Sequence, residues 1–158
     1  MSAGPAILLV EDDESDIIFL KRAFEKVGLA YPLQVAETGK KAVDYLSGSG
    51  PYADRNTYPL PTHVLMDLKL PEKSGLELLE WIRTRPELQE IKVTILTSSS
   101  EKRDLLRARE LGASCYLVKP MSFSVLTELA RNIVEWIGTG RLPSGCQWPP
   151  DTLVPTGP

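Results

Sequence analysis

Thr62-His63-Val64-Leu65-Met66-Asp67-Leu68-Lys69-Leu70-Pro71 is the stretch that decides how this 158-residue chain is read. Pro61 and Pro71 bracket it, and its apolar run Val64-Leu65-Met66 ends on an acid. A run this short and this aliphatic predicts a strand buried on both faces. Asp67 then stands where the strand leaves the core, at its carboxyl end. A carboxylate left there without a partner is costly, and ligands of open parallel α/β sheets bind at this edge. An Asp that ends a strand can also simply begin a turn. The rest of the chain has to decide between the two.

Upstream, Ala6-Ile7-Leu8-Leu9-Val10 is a second apolar strand and ends in Glu11-Asp12-Asp13. Ile17, Leu20, Phe24 and Val27 then recur on one helical face from Glu14 to about Val27, with Asp13-x-x-Asp16 at the N-cap and Gly28 as the stop. Leu33 to Ala36 is a short strand. Thr38 caps a helix carrying Ala42, Val43, Tyr45 and Leu46, which Gly48 ends. Gly48 to Pro61 is a long connection that predicts a surface insertion. Its Gly48-Ser49-Gly50 is no phosphate loop, because no strand precedes it and no Gly-Lys-Ser/Thr follows.

Downstream, Ser74-x-x-Glu77 is a capping box for a helix bearing Leu76, Leu79 and Ile82, closed by Pro86. Ile91 to Leu96 is a fourth strand running into Thr97-Ser98-Ser99-Ser100. A charged helix from about Glu101 to Leu111 follows. Ser114 to Val118 is a fifth strand ending at Lys119-Pro120, and the last helix spans Phe123 to Ile137. Five strands alternating with five helices imply a parallel sheet covered on both faces. Right-handed crossovers place all five carboxyl ends on one edge.

Composition narrows the class. The 42% hydrophobic content supports one domain with a core. A net charge of −3 and a pI near 5.3 give no case for nucleic acid, and no apolar run approaches the roughly 18 residues of a membrane span. Met1 to Pro5 is no signal peptide. Cys115 and Cys146 do not make a disulfide framework, so free thiols and a cytoplasmic location are expected.

The strand ends carry one constellation: Glu11 and Asp12 after the first strand, Asp67 after the third, Thr97 after the fourth, Lys119 after the fifth. Each has an ordinary explanation as a cap or a solvated charge; four polar strand ends on one edge do not. Val10-Glu11-Asp12, Met66-Asp67-Leu68-x-Leu70-Pro71, Leu96-Thr97-Ser98 and Tyr116-Leu117-Val118-Lys119-Pro120 resemble the receiver domain of two-component response regulators, in order, over about residues 6 to 138. The resemblance implies a flavodoxin-like, doubly wound five-stranded sheet of order 2-1-3-4-5. It implies Asp67 as phosphoacceptor, Thr97 and Lys119 as phosphoryl contacts, and a Mg²⁺ site. Asp12, Asp67 and the Lys69 backbone carbonyl would be its direct ligands, with Glu11 acting through water. A Lys119–Pro120 cis peptide, and a switch made of Thr97 and Tyr116, are implied in the same way.

Chemistry points in the same direction. A pair of carboxylates near 4 Å repels by about 4 kcal/mol at an effective dielectric of 20, enough to blunt a nucleophile unless a cation is present. Oxygen ligands with open positions suit Mg²⁺. Glu11 departs from the family's more common Asp, keeping the charge at longer reach. Lys69 and Ser99 stand at positions that vary in the family and flank the phosphoryl group, and the resemblance implies that they tune hydrolysis of the acyl phosphate. A haloacid-dehalogenase-type phosphatase expects a second Asp where Lys69 stands, and a dinucleotide fold needs glycines where Glu11-Asp12-Asp13 stands.

The expectation is therefore a receiver domain over 1–138 with a Pro/Gly-rich tail over 139–158. It would be no enzyme beyond Mg²⁺-dependent autophosphorylation and autodephosphorylation, and it would signal by binding. The long loop and the tail resemble regulators of phytochrome-type sensor histidine kinases. The alternatives are a phosphorelay intermediate serving a histidine phosphotransfer protein and a diffusible regulator of another target. On the last helix, Leu126, Ala130, Ile133 and Ile137 predict the core stripe. Val125, Leu129 and Trp136, with Val134 at the edge of the arc, predict a homodimer face built by helix four, strand five and helix five. Leu142, Trp148, Leu153 and Val154 of the tail are expected to strengthen it.

Overall fold

The computed structural model describes residues 4–143, 145 and 146. Its sheet is formed by β1 (Ile7–Val10), β2 (Leu33–Ala36), β3 (His63–Met66), β4 (Lys92–Thr97) and β5 (Cys115–Val118), in the order β2-β1-β3-β4-β5 with every pairing parallel. The helices are α1 (Glu14–Lys26), α2 (Gly39–Ser47), α3 (Gly75–Thr84), α4 (Lys102–Glu110) and α5 (Phe123–Thr139). The flavodoxin-like expectation holds, strand order included.

Two apolar layers sandwich the sheet. On one side Ile17, Leu20, Ala23 and Phe24 of α1 meet Ala130, Ile133 and Trp136 of α5 over Ile7, Leu9, Leu65, Cys115 and Leu117. On the other, α2, α3 and α4 pack on Leu8, Val10, Val64, Met66 and Ile95. The alternation along each strand is that of side chains pointing to opposite faces. On α3 the buried residues are Gly75, Leu78, Leu79 and Ile82, so Leu78 takes the core position expected of Leu76, which is only partly buried.

Local signals behave as read. Asp13 accepts from the Asp16 amide at 2.9 Å, Thr38 from that of Lys41 at 3.0 Å, and Ser74 and Glu77 close the capping box. The segment from Gly48 to Pro61 is held more firmly than an insertion suggests. Arg55 donates to the carbonyls of Tyr45 (2.8 Å), Leu46 (3.1 Å) and Tyr58 (3.2 Å), and Tyr45 Oη donates to the Pro59 carbonyl at 2.9 Å. Tyr58 packs edge to face against both Tyr45 and Tyr52 around this clasp, and the Tyr45 and Tyr52 rings meet tilted by 41°.

Candidate functional site

Backbone register assembles the site before any side chain is considered. The Glu11 amide donates to Ala36 at 3.1 Å, that of Asp67 to Val10 at 3.2 Å and that of Lys119 to Thr97 at 2.8 Å. The first residues beyond neighbouring strands are thereby locked side by side. Behind them the chain must turn tightly. The Lys73 amide reaches back to the Pro71 carbonyl at 2.8 Å across Glu72, whose φ is 70°, a γ-turn that a side chain adopts only under strain. Gly75 then starts α3 so close to the strand end that a Cβ would lie 2.2 Å from the Asp67 carbonyl oxygen.

Lys119 is the hub. Its Nζ lies 2.8 Å from Glu11, 2.6 Å from Asp16 and 2.7 Å from Asp67. One ammonium thus faces three carboxylates. The Asp67 Oδ1 accepts from the amides of Leu68 at 2.6 Å and Lys69 at 3.4 Å, and Thr97 contributes a further hydrogen bond to the carboxylate. Burial pushes Asp67 up, yet the bonds from Lys119 and Thr97 outweigh it and hold the carboxyl below the usual range. Glu11 moves the other way: burial raises it, and its bonds from Lys119 and the Asp13 amide do not offset that cost. The same lysine therefore serves one carboxylate held ionised and a second made more basic. Burial alone would lower Lys119, and its three carboxylate partners leave it above its ordinary value.

Sequence reasoning placed Glu11, Asp67, Thr97 and Lys119 together, and they are together. It missed Asp16, which it had assigned to the N-cap. The signal was available in the spacing: Asp16 lies one helical turn beyond Asp12 on a helix that begins at this edge. Asp12 itself is exposed at the rim, as is Lys69. Among the described residues no peptide bond is cis, so the expected Lys119–Pro120 cis bond is corrected. Backbone pairing with Thr97 already aims Lys119 at the pocket. Tyr116 is 1% exposed and donates to the Ser99 carbonyl at 3.0 Å, so its hydroxyl is held inside the β4–α4 loop.

The dimer expectation needs one correction. Trp136 is 4% exposed and stacks edge-on against His63 with centroids 5.1 Å apart. α5 packs on α1 as well as on the sheet, so its buried arc is wider than a sheet alone requires. Val125 is 54% exposed and Leu129 is partly buried. Trp148, Leu153 and Val154 lie outside the described residues.

A metal ion would meet an all-oxygen donor set here, which fits a hard cation such as Mg²⁺. Among the described residues no three acidic, imidazole or thiol side chains converge as a cage. The carboxylate contacts such an ion would use are in part those Lys119 holds.

The sheet is doubly wound, with acids beyond its first and third strands, a hydroxyl on the last residue of the fourth and a lysine beyond the fifth. Residues 7–131 match the response regulator receiver domain, and the chain belongs to that family. It is 38% identical over 141 residues to the probable methanogenesis regulatory protein FilR2 of Methanothrix harundinacea, covering 87% of this chain and 86% of that one. It is 32% identical over 139 residues to the response regulator Rcp1 of Synechocystis, covering 87% and 92%. The Mn²⁺-bound form of Rcp1 superimposes with a TM-score of 0.77. The phosphorylated cyanobacterial phytochrome response regulator RcpA, 30% identical, superimposes with a TM-score of 0.80 over 90% of this chain and 99% of that one. No helix among the described residues is long and apolar enough to cross a membrane.

Proposed function

We propose that Asp67 accepts a phosphoryl group from the phosphohistidine of a sensor histidine kinase of phytochrome type, and that the acyl phosphate is read by a protein partner. The carrying observation is Lys119 at 2.7 Å from the Asp67 carboxylate, a cation fixed where charge gathers in the transition state. An Asp67 oxygen attacks phosphorus, the P–N bond breaks, and its electron pair leaves with the imidazole nitrogen. Thr97 and Lys119 then meet the oxygens of the new group. Asp12, Asp67 and the Lys69 carbonyl would hold Mg²⁺, with Glu11 acting through water. When bound, that ion offsets charge on the carboxylates and the phosphoryl oxygens. Similarity to RcpA and Rcp1 supports the phytochrome pairing.

Output follows from the weakest attachment in the fold. α4 buries one residue, Ala108, and the loop before it is tied to the site through Thr97, Ser99 and Tyr116. Phosphorylation draws on Thr97 and so shifts Tyr116, α4 and the face they share with α5, where Val125 and Leu129 offer a homodimer surface. One experiment tests this reading. Acetyl phosphate with Mg²⁺ should add a single phosphoryl mass to the chain, and Asp67→Asn should abolish the gain. Undiminished labelling of that variant overturns the assignment. The same sample should show altered amide resonances along α4 and β5 and a dimer in light scattering. Changes confined to the Asp67 pocket, or a monomer at tens of micromolar, remove the output half.

A further inference from the structure

Among the described residues β5 is the last strand of the sheet, and none of them forms a strand on its outer backbone edge. Gly140 ends α5, its amide donating to Trp136 at 2.7 Å, and the chain beyond it comes back against the Leu117 side chain of β5. Pro143 is buried. A Cβ on Gly145 would stand 3.5 Å from Leu117 Cδ2, and the Cys146 amide closes a turn onto the Pro143 carbonyl at 3.1 Å. Cys146 packs against both apolar layers at once, the layer containing Cys115 included. The two thiols hydrogen-bond to each other. They are the chain's only cysteines, they are far apart in sequence, and both are reduced.

We propose that Cys115 and Cys146 are a redox pair which hydrogen peroxide converts to a disulfide, fastening the segment after α5 to edge strand β5. Cys146 is half-buried and Cys115 fully buried, so peroxide meets Cys146 first. The Cys146 sulfur attacks one peroxide oxygen, the O–O bond breaks, and the departing hydroxide leaves as water with the thiol proton. The sulfenic acid so formed is the first rung of cysteine oxidation and condenses with a neighbouring thiol. The Cys115 sulfur then displaces its hydroxyl. The S–S bond forms, the S–O bond breaks, and the Cys115 proton departs in a second water. Each sulfur gives up one electron and the peroxide takes both. The hydrogen bond to Cys146, together with burial, pushes the Cys115 thiol up, which suits the resolving partner better than the first nucleophile. The bridge would sit next to Tyr116 and on the strand that delivers Lys119, coupling oxidation to the strand that carries the switch.

The test uses the full chain in native buffer with hydrogen peroxide, followed by alkylation of remaining thiols. Intact mass should show the loss of two hydrogens and no alkylated cysteine, and digestion should yield a peptide linking Cys115 to Cys146 that dithiothreitol separates. Cys115→Ala should leave a sulfenic acid at Cys146 that dimedone traps. Cys146→Ser, a change at a half-exposed position, should leave Cys115 reduced after the same treatment. Limited proteolysis between α5 and Cys146 should slow several-fold on oxidation of the wild type and stay unchanged in Cys146→Ser. Two thiols surviving peroxide, a bridge that links separate chains, or one that forms only in urea overturns the proposal. None of these readouts depends on phosphorylation of Asp67.

Discussion

Lys119 and Arg55 are two well-held cations at opposite ends of the sheet. Lys119 sits at the carboxyl edge among the carboxylates of Glu11, Asp16 and Asp67. Arg55 sits at the amino edge, where α2 ends, and its partners are the carbonyls of Tyr45, Leu46 and Tyr58. Carbonyls at a helix C-terminus are orphaned acceptors with partial negative charge, and a guanidinium fork satisfies several at once. Such partners are dipoles fixed in the backbone, so the clasp has one state. Carboxylates can trade one cation for another, and under the proposed function Asp67 also takes up a phosphoryl group, which would give the Lys119 pocket several. The difference between the two ends is the difference between a fastening and a device.

Removing each cation separates the two most sharply. Lys119→Ala leaves three carboxylates without their ammonium, and stripping one partner from a buried ion pair costs about 3 kcal/mol. Urea unfolding in chelator at neutral pH should show a loss of that order, and millimolar Mg²⁺ should restore part of it. Phosphorylation from acetyl phosphate should fall roughly a hundredfold, the usual cost of deleting one transition-state donor. A variant of wild-type stability and rate would make the lysine a bystander.

Arg55→Ala should behave differently in kind as well as size. Three charge-assisted bonds to carbonyls are lost, but water can reach part of the loop, so about 2 kcal/mol of stability is expected to go. Mg²⁺ should recover none of it, and Asp67 labelling of the folded variant should match the wild type. Recovery by Mg²⁺, or a labelling defect at full folding, would collapse the distinction between the two ends.

The two ends were unequally legible in the sequence. The carboxyl edge could be read because a strand buried on both faces has to end on its first polar residue. Glu11, Asp67 and Lys119 each announce such an end. Parallel register then brings them together with no further information. Asp16 was passed over as a Lys119 partner despite its spacing from Asp12, because its place in the first turn of α1 already explained an acid there. Arg55 left no signal, since a side chain reaching backbone carbonyls requires nothing particular of its partners' identity. Trp136 was misread for a related reason. The apolar arc of α5 was measured against a sheet alone, whereas α1 and His63 cover the remainder.

His63 offers the finest test, because it is a base at the amino edge that meets no acid among the described residues. Its contacts are the Thr62 hydroxyl at 2.8 Å and the Trp136 ring. Burial, helped by repulsion from Lys92, pushes it down to about 4. An imidazole in the unfolded chain titrates near 6.5, so between those values the unfolded state binds more protons than the folded one. Stability from this group is therefore complete above about pH 6.5 and is lost as pH falls towards 4. The ring is part-exposed, so solvent screening limits the loss to roughly 1 kcal/mol. The carboxylates contribute acid sensitivity of their own, and the clean measurement is the wild type minus His63→Gln across this window. That difference should fall with pH. His63 is the chain's only histidine, so its ring resonance can be titrated without ambiguity. A midpoint near 6.5, or a pH-independent difference, would show that this edge tolerates a charge without a partner. The contrast between Lys119 and Arg55 would then concern position and not the chemistry of the partners.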